Sequence, residues 1–126
     1  MKLEINGTSY NLNFGLGAFE IAGDRLEMSA DEVLEKIFEP KVFNHLVYAS
    51  IENAIKLEDE YALMPFSYNV FINKIGEMPQ DVNKEILEAF LNTTRFGKTF
   101  REHFGIDIPE EAETKKKGTK KKVQEK

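Results

Sequence analysis

Lys2-Leu3-Glu4-Ile5-Asn6-Gly7-Thr8-Ser9-Tyr10-Asn11-Leu12-Asn13-Phe14 is the stretch from which the fold class is read. Leu3 and Ile5 alternate with Lys2 and Glu4, and Tyr10, Leu12 and Phe14 alternate with Ser9, Asn11 and Asn13. That period of two is the mark of half-buried strands. Between the runs stands Asn6-Gly7, a strong hairpin signal, because a type I′ turn needs positive φ at both central residues. A two-residue loop there sets Ile5 opposite Thr8 and Leu3 opposite Tyr10, so Leu3, Ile5, Tyr10 and Leu12 share one face. A lone hairpin is marginal in water, so that face must lie on something.

The sequence downstream supplies helices. Gly15-Leu16-Gly17-Ala18-Phe19-Glu20-Ile21-Ala22 opens the first, with Gly23 as its expected stop. Ser29, with Glu32 three residues on, predicts a capping box for a second short helix that Pro40 ends. From about Lys41 to Glu58, the residues Phe43, Leu46, Val47, Ser50, Ile51, Ala54 and Ile55 keep the spacing of a buried helical stripe. A short helix from Ser67 to Ile75 follows, stopping at Gly76. Pro79 then suits the first turn of a helix reaching about Arg95. Phe96, Phe100 and Phe104, each four apart, predict continued helix up to Gly105.

The expected class is therefore α+β and mostly α, with a β-hairpin over residues 2–14 packed on a bundle of about five helices. Residues 1–108 read as a single globular domain. Residues 109–126 read as a disordered Lys-rich tail, too poor in apolar groups to offset its ordering entropy.

Charge divides the chain in the same place. Residues 110–126 carry seven Lys and four Glu, a net +3, so the remainder carries −8 of the total −5. An acidic body argues against a nucleic-acid-binding face on the folded domain and leaves any polyanion contact to the tail. The chain has no Cys, which removes disulfides, thiolate metal sites and cysteine nucleophiles. No run approaches the roughly 18 apolar residues of a membrane helix. The first residues alternate apolar with polar, so no signal peptide is expected.

Few residues offer chemistry. Gly15-Leu16-Gly17 follows a strand and opens a helix, yet position 20 is Glu where a dinucleotide fingerprint needs a third glycine. A strand-to-helix junction accounts for the pair. His45 and His103 are the only histidines and form no ligand-spaced pair. His45 sits beside an apolar stripe, as an edge-of-core histidine does, and His103 beside Arg101 and Glu102 reads as exposed. Glu58-Asp59-Glu60 reads as a solvated acidic loop. No catalytic residues, metal or cofactor are expected, and the chain reads as a non-enzymatic interaction protein. Phe96, Phe100 and Phe104 remain as an aromatic stripe: core packing is its ordinary use, and a patch for an amphipathic partner helix the functional one.

The stretch Met1 to Gly15 resembles the opening of tail assembly chaperones of long-tailed phages, especially those of Gram-positive hosts, which begin with a hairpin of the form apolar-x-apolar-Asn-Gly-x-x-Tyr-x-Leu-x-Phe followed by helices. The motif covers about a fifth of the chain, and from Asp24 on only helix order and size are similar. The resemblance implies a protein of the host cytoplasm that coats the helical tape measure protein, keeps it soluble and helps recruit tail tube protein. Members of the family often self-associate. In many such phages a ribosomal frameshift near the end of the gene makes a longer product, and Lys115-Lys116-Lys117 or Lys120-Lys121-Lys122 would suit an A-rich slippery run. The alternative is a small regulatory protein that contacts nucleic acid through the basic tail, by charge alone and with strong salt dependence.

Overall fold

The computed structural model describes residues 1–106. Strands β1 (Lys2–Ile5) and β2 (Thr8–Asn11) pair antiparallel with Leu3 opposite Tyr10 and Ile5 opposite Thr8, the register expected from the turn. Asn6 (φ 53°) and Gly7 (φ 84°) both take the left-handed conformation of a type I′ turn. Leu3 and Ile5 are buried, and Tyr10 and Leu12 lie against the core at its margin.

Helices α1 (Leu16–Leu26), α2 (Ala30–Glu35), α3 (Pro40–Glu58), α4 (Tyr68–Gly76) and α5 (Gln80–Leu91) follow. Ser29 and Glu32 form the expected capping box at α2, and Ser67 caps α4 through the Val70 N–H. Helix α3 is the central element: α1 packs along it, and the hairpin is tied to it where the Asn13 N–H donates to the Ser50 carbonyl at 3.1 Å. Asn53 of α3 donates to Asn13, and Asn13 in turn accepts from the Gly15 N–H at 2.9 Å. A side chain at Gly17 would collide with Asn53, so the second glycine of Gly15-Leu16-Gly17 serves close helix packing.

Three sequence-based expectations need correction. Gly23 does not stop α1. It lies buried inside the helix against the Met28 carbonyl, and the stop falls at Glu27, which adopts the left-handed conformation (φ 59°) while the Met28 N–H returns to the Gly23 carbonyl. Pro40 does not end α2, which is over by Glu35. It opens α3 at the first turn, where its missing N–H costs nothing. Helix α5 ends at Leu91, and residues 94–99 are not helical.

Those residues form a second, miniature hairpin, β3 (Thr94–Arg95) and β4 (Lys98–Thr99), with Thr94 opposite Thr99 and Arg95 opposite Lys98. Phe96 (φ 54°) and Gly97 (φ 81°) make its turn. A sixth short helix, α6 (Phe100–Phe104), starts at a capping box of Thr99 and Glu102 and stops at left-handed Gly105. The α+β, mostly helical class stands, with six helices rather than about five among the described residues. The Lys-rich tail lies outside the described residues.

The core runs from the hairpin through α1 and α3 to α5 and α6. Its densest part is aromatic. Phe90 lies within 7 Å, centroid to centroid, of Phe14, Phe19, Phe43, Phe100 and Phe104, and stacks on Phe100 at 4.7 Å. Phe66 closes the other end, edge-on to Tyr10 at 5.2 Å, with its carbonyl accepting from the Tyr48 hydroxyl at 2.6 Å.

Candidate partner-binding site

Phe96, Phe100 and Phe104 occupy three different environments instead of one stripe. Phe100 is buried, sandwiched near Phe90 and Phe19 (5.4 Å), and serves the core. Phe104 is half-buried and meets Phe38 edge-on at 5.0 Å. Phe96 stands at the tip of the β3–β4 turn with 86% of its surface exposed. The spacing of four is therefore not one helix face: Phe96 belongs to a turn, and only Phe100 and Phe104 share a helix.

Around that turn the chain builds an open cleft of about 350 Å³, lined by Asp31 and Leu34 of α2, by Arg95, Phe96 and Lys98 of the hairpin, and by Phe100 and His103 of α6. Its apolar side is Leu34 with the rings of Phe96 and Phe100, and its polar rim is mixed, with Arg95 and Lys98 beside the Asp31 carboxylate and His103. Arg95 is fixed in place: its guanidinium lies 5.6 Å from the Phe19 ring centre and 5.2 Å from that of Phe96, and 3.6 Å from the Asp31 carboxylate. Its Nε is buried with no hydrogen-bond partner among the described residues. Helix α6 is held to α5 by Arg101, which donates to Glu88 at 2.7 Å and to Asn92. Hydrogen bonds from Thr99 to the exposed Glu102 carboxylate hold that group below the usual carboxylate range. Thr99 thereby anchors both the hairpin and the helix.

The conformation of Phe96 is unusual. Left-handed backbone costs an L-residue with a bulky side chain about 1–2 kcal/mol, a penalty that glycine escapes and asparagine largely so. The first hairpin makes the same turn with Asn6-Gly7, at nearly identical angles. Where the chain could carry asparagine it carries an exposed phenylalanine. Phe96→Asn is expected to raise stability by roughly 0.5–1 kcal/mol, the relief of backbone strain outweighing a surface cation–π contact worth about 0.5 kcal/mol. Thermal unfolding checks this: an unchanged or lowered midpoint would mean the ring stabilises the fold.

A second groove, of about 270 Å³, runs between α3, α4 and α5, with Phe38, Phe43, Phe71, Ile75, Ile86 and Leu87 among its lining. Phe38, 56% exposed, belongs to this groove and touches Phe104, next to His103 of the first cleft.

The other singled-out residues hold structural posts. His45 stacks flat on Tyr68 at 3.8 Å, at the edge of the core as its position beside the stripe predicts. Burial, then the charges of Arg25 and Lys41, push its pKa down. Nearby, Glu52 accepts from Arg25 and lies 3.1 Å from the Lys56 ammonium. Burial pushes the Glu52 carboxyl up, but the two hydrogen-bonded cations outweigh it and hold it below the usual range. No group of three or more His, Cys, Asp or Glu able to hold a metal occurs among the described residues. No described helix is long and apolar enough to cross a membrane.

Both shifts make the fold acid-sensitive. His45 has a folded pKa below its ordinary 6.5, so the unfolded chain takes up the proton first, and stability erodes as pH falls below that value. Glu52 has a depressed folded pKa, so its contribution is complete above its ordinary 4.5 and is lost as pH falls through the folded value. Thermal unfolding from pH 8 to 3 is expected to show both windows. His45→Phe should flatten the upper one and Glu52→Gln the lower, and a variant whose pH profile parallels the wild type would remove its group from the account.

No protein-family model, curated protein or solved structure matches this chain. The functional reading therefore stands on the residues themselves.

The basic and apolar groups of the first cleft converge from α2, β3, β4 and α6. Of this lining the sequence singles out Phe96 and Phe100 as partner-binding candidates and reads His103 as exposed, while Asp31, Leu34, Arg95 and Lys98 carry no such mark. One signal was there to be read: Gly97 between short polar runs, Thr94-Arg95 and Lys98-Thr99, is itself a hairpin pattern, masked by the four-residue spacing of the phenylalanines.

Proposed function

We propose that this chain is a phage tail assembly chaperone, a non-enzymatic protein of the host cytoplasm that covers the apolar stripes of a tape measure protein and helps recruit tail tube subunits around it. Two things support the reading. The N-terminal hairpin, with its Asn-Gly turn, Tyr10 and Leu12 on the inner face and Phe14 in the core, has the form that opens members of that family. The observation that carries the interaction role is Phe96: a large apolar ring in a strained turn, exposed beside an apolar cleft with a charged rim. Strain of this kind in a surface residue is a mark of use, since folding alone would favour asparagine or glycine there.

An amphipathic helix would lay its apolar stripe across the Phe96 cleft and, past the Phe38–Phe104 contact, toward the groove between α3, α4 and α5. The test is co-expression with an amphipathic helical fragment of a tape measure protein from a long-tailed phage. The expected result is co-purification with a fragment that is insoluble when expressed alone, and loss of at least tenfold in affinity for Phe96→Asn, as for a buried aromatic anchor. A fragment that is soluble alone and fails to co-purify would overturn the proposal.

A further inference from the structure

Asn6 is the one asparagine of this chain that precedes a glycine. The pair forms the tip of the first hairpin, where both residues are exposed and a methyl placed on Gly7 would meet nothing within 4 Å. The ladder pairs Ile5 with Thr8, so the Gly7 N–H lies inside the two-residue loop and has no place in it. After the other asparagines the next backbone N–H is mostly committed. Asn44, Asn53, Asn73 and Asn83 lie within helices. The Val70 N–H, after Asn69, donates to the Ser67 hydroxyl at 3.2 Å. The Leu12 N–H, after Asn11, donates to the Met1 carbonyl, and the Thr93 N–H, after Asn92, to the Phe90 carbonyl. For Asn13 it is the side chain that is engaged, with Gly15 and Asn53.

We infer that Asn6 is a modification site at which the chain alters its own backbone, passing through a cyclic imide to aspartate and isoaspartate. The Gly7 nitrogen attacks Cγ of the Asn6 side-chain amide and forms an N–Cγ bond. The Cγ–Nδ2 bond breaks, and Nδ2 leaves as ammonia with the proton that the Gly7 nitrogen gives up through water. Glycine admits this approach because it carries no Cβ beside the attacking nitrogen. Water then opens the five-membered ring. Cleavage at Cγ gives aspartate, and cleavage at the backbone carbonyl gives isoaspartate, whose main chain runs through Cβ and Cγ.

The two products differ in consequence. Asp-Gly suits a type I′ turn as Asn-Gly does, so aspartate keeps the loop and adds a charge. Isoaspartate adds a methylene to a two-residue loop whose twist must match its strands, and Ile5 no longer faces Thr8. That register is what buries Leu3 and Ile5. The fold also sets the pace. The imide holds Cβ of Asn6 eclipsed with the Gly7 nitrogen, which a type I′ turn keeps apart, so the reaction runs through the opened turn. The hairpin is thus a clock: the share of chains with a rerouted backbone grows with age. The inference stands on this turn and does not rest on the tape measure reading.

Incubation of the full chain at pH 8 and 37 °C, followed by peptide mass mapping, tests this. The peptide holding Asn6 is expected to gain about 1 Da, the exchange of an amide nitrogen for oxygen, ahead of every other asparagine. An isoaspartyl carboxyl methyltransferase, with S-adenosylmethionine as methyl donor, is expected to label the aged chain and not the fresh one. Conversion in concentrated guanidinium chloride is expected to be severalfold faster than in the folded chain. Asn6→Gly keeps a residue suited to the turn and removes the amide, so it is expected to fold and to stay unlabelled. The isoaspartate form, isolated by ion exchange, is expected to unfold at a lower denaturant concentration than freshly prepared Asn6→Asp, which has the same charge. The inference is overturned if another asparagine converts first, or if Asn6→Gly takes up as much label as the wild type. It is equally overturned if the folded chain takes up no label while the unfolded chain does, if the two convert at the same rate, or if the isoaspartate form is as stable as Asn6→Asp.

Discussion

Phe90→Ala is expected to lower folding stability by about 3–5 kcal/mol, the usual range for a fully buried phenylalanine cut to alanine. A domain of this size has only about 5–15 kcal/mol in total, so the variant would stand near the edge of folding at 37 °C. The size follows from what the ring touches. Phe14 precedes α1, Phe19 lies in it, Phe43 comes from α3, and Phe100 and Phe104 come from α6, and all five rings meet Phe90. Its removal leaves a void bounded by residues from four parts of the chain, each held by other contacts, so collapse into the space is limited. Aromatic pairs add about 0.5–1.5 kcal/mol each beyond area burial. Urea unfolding at pH 7 measures the loss. Phe38→Ala is the control: that ring is over half exposed and its loss should cost well under half as much. Equal costs for the two would dismiss Phe90 as the centre of the core.

The second large effect is expected at Gly23. Alanine normally gains about 1 kcal/mol over glycine inside a helix, so the naive expectation for Gly23→Ala is stabilisation. Here the added methyl would lie well within van der Waals contact of the Met28 carbonyl. That atom is backbone, in a connection fixed by the Met28 N–H to Gly23 and by the Ser29 capping box, so it cannot swing aside as a side-chain end would. Overpacking of this kind costs up to about 3 kcal/mol, which outweighs the propensity gain and leaves a net loss of roughly 2 kcal/mol. Gly76→Ala supplies the opposite sign. Gly76 is exposed in the last turn of α4 with nothing within 4 Å of an added methyl, and a gain of about 0.5–1 kcal/mol is expected. Chemical denaturation of the pair decides it: if both substitutions stabilise, the approach of Met28 to Gly23 imposes no constraint.

Gly23 also shows where a sequence stops being legible. Glycine ends helices by supplying positive φ and brings backbones together by lacking a side chain, and the letter is the same in both uses. Which one applies depends on Met28 folding back onto α1, a contact no local pattern encodes. Asn6-Gly7 was readable to the residue because turn chemistry and the alternation of its neighbours agree on one register. Ser29 with Glu32 and the stripe of α3 were readable for the same reason, each being a local pattern with one structural solution. Phe96, Phe100 and Phe104 were misread because a spacing of four is satisfied as well by a turn residue followed by a short helix. The cleft around them lay beyond local reading altogether, since Asp31 and Leu34 join Arg95 and Lys98 only once α2 meets the second hairpin.

The turn at Phe96 bears on the timing of recognition. Its backbone is set by a two-residue loop between paired strands, Thr99 ties those strands to α6, and Arg95 lies against the ring. The direction in which the ring leaves the surface is therefore fixed when the chain folds, and little disorder remains to be lost when a partner arrives. Pre-organisation of this sort lengthens the life of a complex more than it speeds encounter. A partner held through Phe96 should thus leave slowly, and replacing that one ring should shorten its residence while the rate of arrival barely changes.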